Sequence, residues 1–108
     1  MPGTPGAPRR LGVLVSVGPE HPSFVHALRL AQAAMEAKVE VYYYCLDDAV
    51  KGLSDPGLQQ LRAQGLRLFG CAYSAQRRRI APGDEALYGG LTMLSDIMAA
   101  THRFVSFN

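Results

Sequence analysis

The stretch LGVLVSV at residues 11–17 decides the fold class of this chain. It is apolar almost throughout and lacks the polar alternation of a half-exposed strand, so it predicts a β-strand that is covered on both faces. The apolar side chains that follow recur at spacings of four, three and four residues, which places them on one face of a helix. They are Phe24, Leu28, Ala31 and Met35. A buried strand that leads into an amphipathic helix is the beginning of an α/β unit.

Strand-like and helix-like segments keep alternating along the rest of the chain. Further strands are predicted at residues 39–45, 66–71 and 103–107, a helical turn at 49–53, and helices between the start signal at 54–56 and Gly65, at 72–79 and at 88–101. The prediction of the last helix is based on a second four-three-four pattern, formed by Leu87, Leu91, Leu94 and Met98. The alternation predicts one α/β domain over residues 11–108, a three-layer sandwich whose mostly parallel sheet has helices on both faces. Residues 1–10 are rich in proline and glycine and are predicted to form a flexible tail.

Composition and charge exclude several classes of protein. The 108 residues suit one domain, and 48% apolar with 19% charged residues indicates a folded chain. A net charge of +2 is too mild for a dedicated nucleic-acid binder, and no apolar run is long enough to span a membrane. The first residues lack the order of a signal peptide. Two cysteines are too few for a disulfide scaffold, so we expect a cytoplasmic protein with reduced thiols.

Cys71 is the residue whose position indicates chemistry. It closes a predicted strand and directly precedes a predicted helix, where backbone N–H groups favour an anion. Arg77, Arg78 and Arg79 follow one to two turns later and add positive charge, which favours the nucleophilic thiolate. The alternative is that Cys71 is a small buried apolar residue. The arginines are either a solvated helix face or a contact for an anionic group or an acidic partner surface.

The other candidate residues point to no second site. Cys45 lies beside two aspartates, which disfavour a thiolate, and we expect no disulfide with Cys71 because strand one is expected to separate strands two and three. His21 is expected to cap a helix or lie at the surface, and His26 to pack or face solvent. The chain has no GxGxxG, P-loop, HExxH or CxxC motif, so neither a metal nor an organic cofactor is predicted.

Three segments of the chain resemble the DsrE/TusD proteins, which are sulfur-relay subunits. Residues 70–80, GCAYSAQRRRI, are similar to the cysteine segment of that family, in which small residues, arginine and an aliphatic residue follow the cysteine. Residues 90–107 are similar to its closing helix and strand, and residues 41–44 to its second strand. The likeness covers residues 10–108. Arg79 departs from the pattern, because the family commonly has a glycine after its arginines.

The resemblance implies a DsrE-like fold, assembly into trimers or hexamers of like or related subunits, and a carrier role. Active members accept sulfane sulfur on the motif cysteine as a persulfide and pass it to a partner protein. Carried over to this chain, only Cys71 takes the catalytic role, and Arg77 to Arg79 match the basic position loosely. Sulfur transfer needs one thiolate and an acceptor, but neither a base nor a metal.

Two other functions remain open on the sequence. The first is a non-catalytic assembly or regulatory module of the same fold, because the last helix is apolar on more than one side. The second is a small anion or nucleotide binder that uses the arginines, although the chain has no phosphate-cradling glycine pattern.

Overall fold

The structure, a computed structural model, describes residues 8–108 and has the predicted α/β architecture. Its strands are β1 Arg10–Val15, β2 Glu40–Cys45, β3 Arg67–Cys71, β4 Leu87–Gly89 and β5 Arg103–Phe107. Its helices are α1 Pro22–Glu36, α2 Pro56–Ala63, α3 Ala72–Arg77 and α4 Leu91–Ala100, with a 3₁₀ helix at Asp47–Gly52. None of these helices is long and apolar enough to cross a membrane. Residues 1–7 of the predicted tail lie outside the described residues, whereas Arg10 already belongs to β1.

The five strands form one parallel sheet in the order β4-β3-β2-β1-β5. One face packs against α1, the 3₁₀ helix and α2 through a core that includes Val13, Tyr43 and Leu58. The other face packs against α4, chiefly through Ile97. The prediction of helices on both faces is therefore confirmed. Full burial of a side chain such as Leu58 stabilises the fold by roughly 1.5–3 kcal/mol.

The helix ends follow from local sequence signals. His21 caps α1, because its Nδ1 accepts the Ser23 N–H at 3.1 Å, and Asp55 caps α2 by accepting the Leu58 N–H at 3.1 Å. Gly65 follows α2 with a φ of +119°, the left-handed conformation in which glycine is favoured. These three signals were read correctly from the sequence.

The predicted last helix, residues 88–101, is wrong at its start. Residues 87–89 form β4, which pairs with β3 through Phe69 and Leu87, and α4 begins only at Leu91 after two glycines. The four-three-four stripe is not the buried face, since Leu87, Leu91 and Met98 are 60%, 69% and 51% exposed. The short edge strand is stabilised by pairing with a distant strand, which helical periodicity cannot reveal.

The expected strand order was also wrong, because β2 and β3 are direct neighbours. Cys45 stands opposite Gly70 in the register. Even so, Cys45 and Cys71 are both unpaired, since they belong to the cores on opposite faces of the sheet. The expectation of no disulfide is met, but the reason is side-chain direction rather than strand separation.

Candidate functional site

Cys71 lies at the carboxyl edge of the sheet, where parallel α/β folds place their ligands. It is the last residue of β3 and the N-cap of α3, and its sulfur accepts the backbone N–H of Ser74 at 3.4 Å. Its side chain is 3% exposed. The sulfur is therefore positioned by the strand-to-helix junction but is covered by neighbouring side chains.

Ser74 connects Cys71 to the loop after β2. Its buried hydroxyl oxygen accepts the backbone N–H of Asp47 at 2.9 Å, and the same hydroxyl lowers the pKa of the Cys71 thiol. Asp47 adopts a φ of +52°, which directs that N–H towards α3. The Asp47 N–H, the Ser74 hydroxyl and the Ser74 N–H thus form a short hydrogen-bond network beside the sulfur.

Tyr44 supplies a further donor from the neighbouring strand. Its side chain is fully buried in the same core as Cys71, and its hydroxyl lies 3.2 Å from the Gly89 carbonyl oxygen and 3.3 Å from that of Gly90. The same hydroxyl is within hydrogen-bonding reach of the Cys71 sulfur. Because it carries a single proton, it donates either to these carbonyls or to the sulfur.

These surroundings change the acidity of the two cysteines in opposite directions. Burial raises the pKa of the Cys71 thiol, but hydrogen bonds from Ser74, Tyr44 and the Tyr73 backbone outweigh burial and leave the pKa below its ordinary value. Burial alone acts on Cys45 and raises its pKa strongly. Of the two thiols, Cys71 is the one that forms a thiolate more readily.

The three arginines do not act as a single cluster. The Arg77 guanidinium lies over the Tyr73 ring, 5.8 Å from its centroid, and donates to the Tyr73 hydroxyl at 3.3 Å. Arg78 donates to the Asp48 carboxylate at 2.9 Å and to the Ser74 carbonyl at 3.2 Å. Hydrogen bonds, rather than these charges, lower the pKa of Cys71.

Arg79 ends helix α3 in a conformation that suits glycine. Its φ is +57°, its N–H bonds the Gln76 carbonyl at 3.1 Å, and the Ile80 N–H bonds the Ala75 carbonyl at 2.9 Å. This is a Schellman motif, whose left-handed residue is usually glycine. The chain keeps the turn although the glycine expected from the resemblance is replaced by arginine.

The junction between β4 and α4 covers the sulfur. Cys71 pairs with Gly89, and a Cβ on Gly89 would lie 2.5 Å from the Met93 Cε atom. Gly89 therefore leaves room for the Met93 side chain of α4 beside β4. Leu87 and Leu91 leave apolar surface exposed beside this cover.

Sequence reasoning found Cys71 but missed Ser74 and Tyr44. The spacing of Ser74, three residues after an N-cap position, was a usable signal, because the N3 backbone N–H is the one an N-cap side chain binds. Tyr44 left no such signal, since its role depends on β2 lying beside β3. Within residues 8–108, no three His, Cys, Asp or Glu side chains are grouped so that they could hold a metal ion.

Comparison with known proteins supports the fold class. The parallel sheet of this chain, with helices on both faces, is an α/β fold of the DsrE type. The crystal structure of the YchN protein from E. coli superimposes with a TM-score of 0.80 and 20% sequence identity, over 94% of this chain and 100% of that one. No protein-family model and no curated protein matches the sequence. At this identity, the likeness shows the fold alone.

Proposed function

We propose that this protein is a sulfur carrier that accepts sulfane sulfur on Cys71 as a persulfide and passes it to a partner protein. The observation that carries the proposal is the hydrogen bond that the Ser74 backbone N–H donates to the Cys71 sulfur at 3.4 Å, beside the Ser74 and Tyr44 hydroxyls, which lower the pKa of this thiol. These donors stabilise an anionic sulfur, and both the thiolate and the persulfide are anionic. The DsrE-type fold is consistent with a sulfur-relay role.

The transfer step balances without a cofactor. The Cys71 thiolate attacks the terminal sulfur of a donor persulfide, a new S–S bond forms at Cys71, and the S–S bond of the donor breaks. The donor leaves as a thiolate and takes up the proton that Cys71 has lost. The reverse reaction with an acceptor thiol returns Cys71 to its starting state, so no net oxidation occurs.

The partners of such a carrier are a donor protein and an acceptor protein. Arg77 and Arg79 are exposed beside the cysteine segment and would suit an acidic partner surface, whereas Arg78 already binds Asp48. We propose assembly into a homo-oligomer, a trimer or hexamer, or with related subunits. Two unpaired cysteines fit a reducing compartment, so the proposed location is the cytoplasm.

Intact mass measurement after treatment with glutathione persulfide tests the proposal. We expect the wild type and Cys45→Ser to gain the mass of one sulfur atom, and Cys71→Ser to gain none. Cys45→Ser is the matched control because Cys45 is also unpaired, but points to the other face of the sheet. If wild-type protein with intact circular dichroism gains no sulfur, the proposal is wrong.

A second candidate is the non-catalytic assembly module. The near-complete burial of Cys71 and the exposed side chains of Leu87, Leu91 and Met98 favour it. A stable oligomer by light scattering, together with an unreactive Cys71, would support the module over the carrier.

A further inference from the structure

A cluster of basic residues lies at the amino edge of the sheet, at the opposite end of the strands from Cys71. Arg9 precedes β1 and Arg10 begins it, while His102 precedes β5 and Arg103 begins that strand. Because β1 and β5 pair in parallel, with Leu11 opposite Arg103, the two basic pairs lie side by side. The proposed carrier role uses none of these four side chains.

Two hydrogen bonds hold this corner in place. The His102 N–H donates to the Arg10 carbonyl at 2.9 Å, and the Arg10 N–H donates to His102 Nδ1 at 3.0 Å. Because Nδ1 accepts, the proton of the neutral imidazole is on Nε2, which is then a donor. The ring therefore adds an N–H donor to the three guanidinium groups.

The cluster carries more positive charge than its acidic neighbours balance. Glu40 binds Arg10, with its Oε1 3.2 Å from Arg10 Nε. Among the residues that the structure describes, no carboxylate forms an ion pair with Arg9 or Arg103. Two guanidinium groups can thus bind an external anion without first losing an internal partner.

Two cavities open at this corner, and the same four residues line both. The larger, about 370 Å³, is also bounded by residues 99–101 at the end of α4. The smaller, about 170 Å³, is also bounded by Leu11, Ala34 and Val39. Cationic side chains therefore stand next to a small apolar hollow, which is the arrangement that binding of a small amphipathic molecule requires.

We propose that this corner is a binding site for a small organic anion, with a carboxylate or phosphate head group on Arg9, Arg103 and His102 and a short apolar tail in the hollow. Guanidinium forks match both head groups geometrically. The hollow accommodates only a few carbon atoms, which excludes nucleotides and long-chain lipids from that part of the site. The site is independent of Cys71 and of the proposed sulfur transfer.

Titration of the reduced protein with hexanoate and with phenyl phosphate, followed by ¹H–¹⁵N NMR, tests this site. We expect saturable shifts confined to residues 9–11, 34, 39 and 99–103. Arg103→Gln should weaken binding by about tenfold, the effect of losing one charge-assisted hydrogen bond. Arg29→Gln is the matched control, since it removes an exposed arginine of α1 that lines neither cavity, and it should leave the affinity unchanged.

Further probes measure separately what the head group and the tail of the ligand contribute to binding. Hexan-1-ol lacks the charge and should not bind, while acetate and inorganic phosphate lack the tail and should bind more weakly. The head group is assigned by whichever of hexanoate and phenyl phosphate binds more tightly. Absence of saturable shifts with both anions, or equal affinity of wild type and Arg103→Gln, would overturn the proposal. Cys71→Ser should bind as the wild type does, so the result does not depend on sulfur transfer.

Discussion

Ser74 donates its backbone N–H to the Cys71 sulfur at 3.4 Å, and its side-chain hydroxyl lowers the pKa of the same thiol. The hydroxyl oxygen in turn accepts the Asp47 N–H at 2.9 Å, which holds the hydroxyl against the loop after β2. One residue thus links the thiol to the loop after the neighbouring strand. This link, more than the nearby arginines, lowers the pKa of the Cys71 thiol.

Ser74→Ala should make Cys71 less reactive. The substitution removes the hydroxyl donor but keeps the backbone N–H, so the pKa of Cys71 rises and alkylation by iodoacetamide at neutral pH slows about three- to tenfold. The Asp47 N–H also loses its acceptor, at a cost of about 1–3 kcal/mol of stability. Rates measured across pH separate the two effects, because a purely structural defect would speed alkylation. Ser54→Ala, in an exposed turn, is the control.

The two cysteines should affect the pH dependence of stability with opposite signs. The pKa of Cys71 is lowered on folding, so stability rises as pH increases from the folded to the unfolded pKa of this thiol, and this gain is lost at lower pH. The pKa of Cys45 is raised, so its contribution is lost as pH increases above the unfolded thiol pKa. Between pH 6 and about pH 10, the free energy of urea unfolding of Cys71→Ser should therefore fall relative to wild type, and that of Cys45→Ala should rise relative to wild type. Parallel pH profiles for all three proteins would contradict this.

Adjacent tyrosines should respond differently to loss of the hydroxyl. Tyr43 is 0% exposed and its hydroxyl has no hydrogen-bond partner among the described residues, so Tyr43→Phe should be neutral or stabilising by up to about 1 kcal/mol. Tyr44 bonds the Gly89 and Gly90 carbonyls, so Tyr44→Phe should cost about 1–2 kcal/mol. Thermal unfolding of the pair provides the comparison, and a larger loss for Tyr43→Phe would refute the assignment.

Three residues that follow helices adopt the left-handed backbone conformation, and substitutions at these positions test the strain of that conformation. Arg79→Gly and Lys38→Gly place glycine at φ values of +57° and +67°, so each should stabilise the protein by about 1 kcal/mol. Gly65→Ala places a Cβ at a φ of +119° and should destabilise it by at least about 1 kcal/mol. Melting temperatures measure all three. Destabilisation by Arg79→Gly would mean that the arginine side chain makes a contact worth more than the backbone strain.

Gly89→Ala should loosen the cover over Cys71. The added Cβ would lie 2.5 Å from Met93 Cε, so the flexible end of that side chain must turn aside, at a cost of about 0.5–1.5 kcal/mol. We expect faster alkylation of Cys71 as a result. Gly90→Ala is the matched control, because nothing lies within 4 Å of a Cβ at that position. Equal alkylation rates in the two variants would show that the sulfur is reached by another route.

Local sequence signals were reliable where neighbouring residues decide the structure. Asp55 and Gly65 mark the ends of α2 because caps depend on a few adjacent residues. β4 was missed because three residues have little strand preference without a partner, and β3 supplies that partner from far along the chain. The exposed Leu91 shows the same limit, since periodicity does not reveal which helix face meets the sheet.

The sequence by itself determined the alternation of strands and helices, and with it the parallel α/β fold and the place of Cys71 at a strand end. Hydrophobic periodicity and capping residues act over a few positions, so they can be read along the chain. Only the tertiary structure decided that β2 lies beside β3, which brings Tyr44 and the Asp47 N–H to the site of Cys71. It also decided that Arg9, Arg10, His102 and Arg103 share one corner. The pairing of distant strands depends on how whole faces pack together, and no short stretch of sequence contains that information.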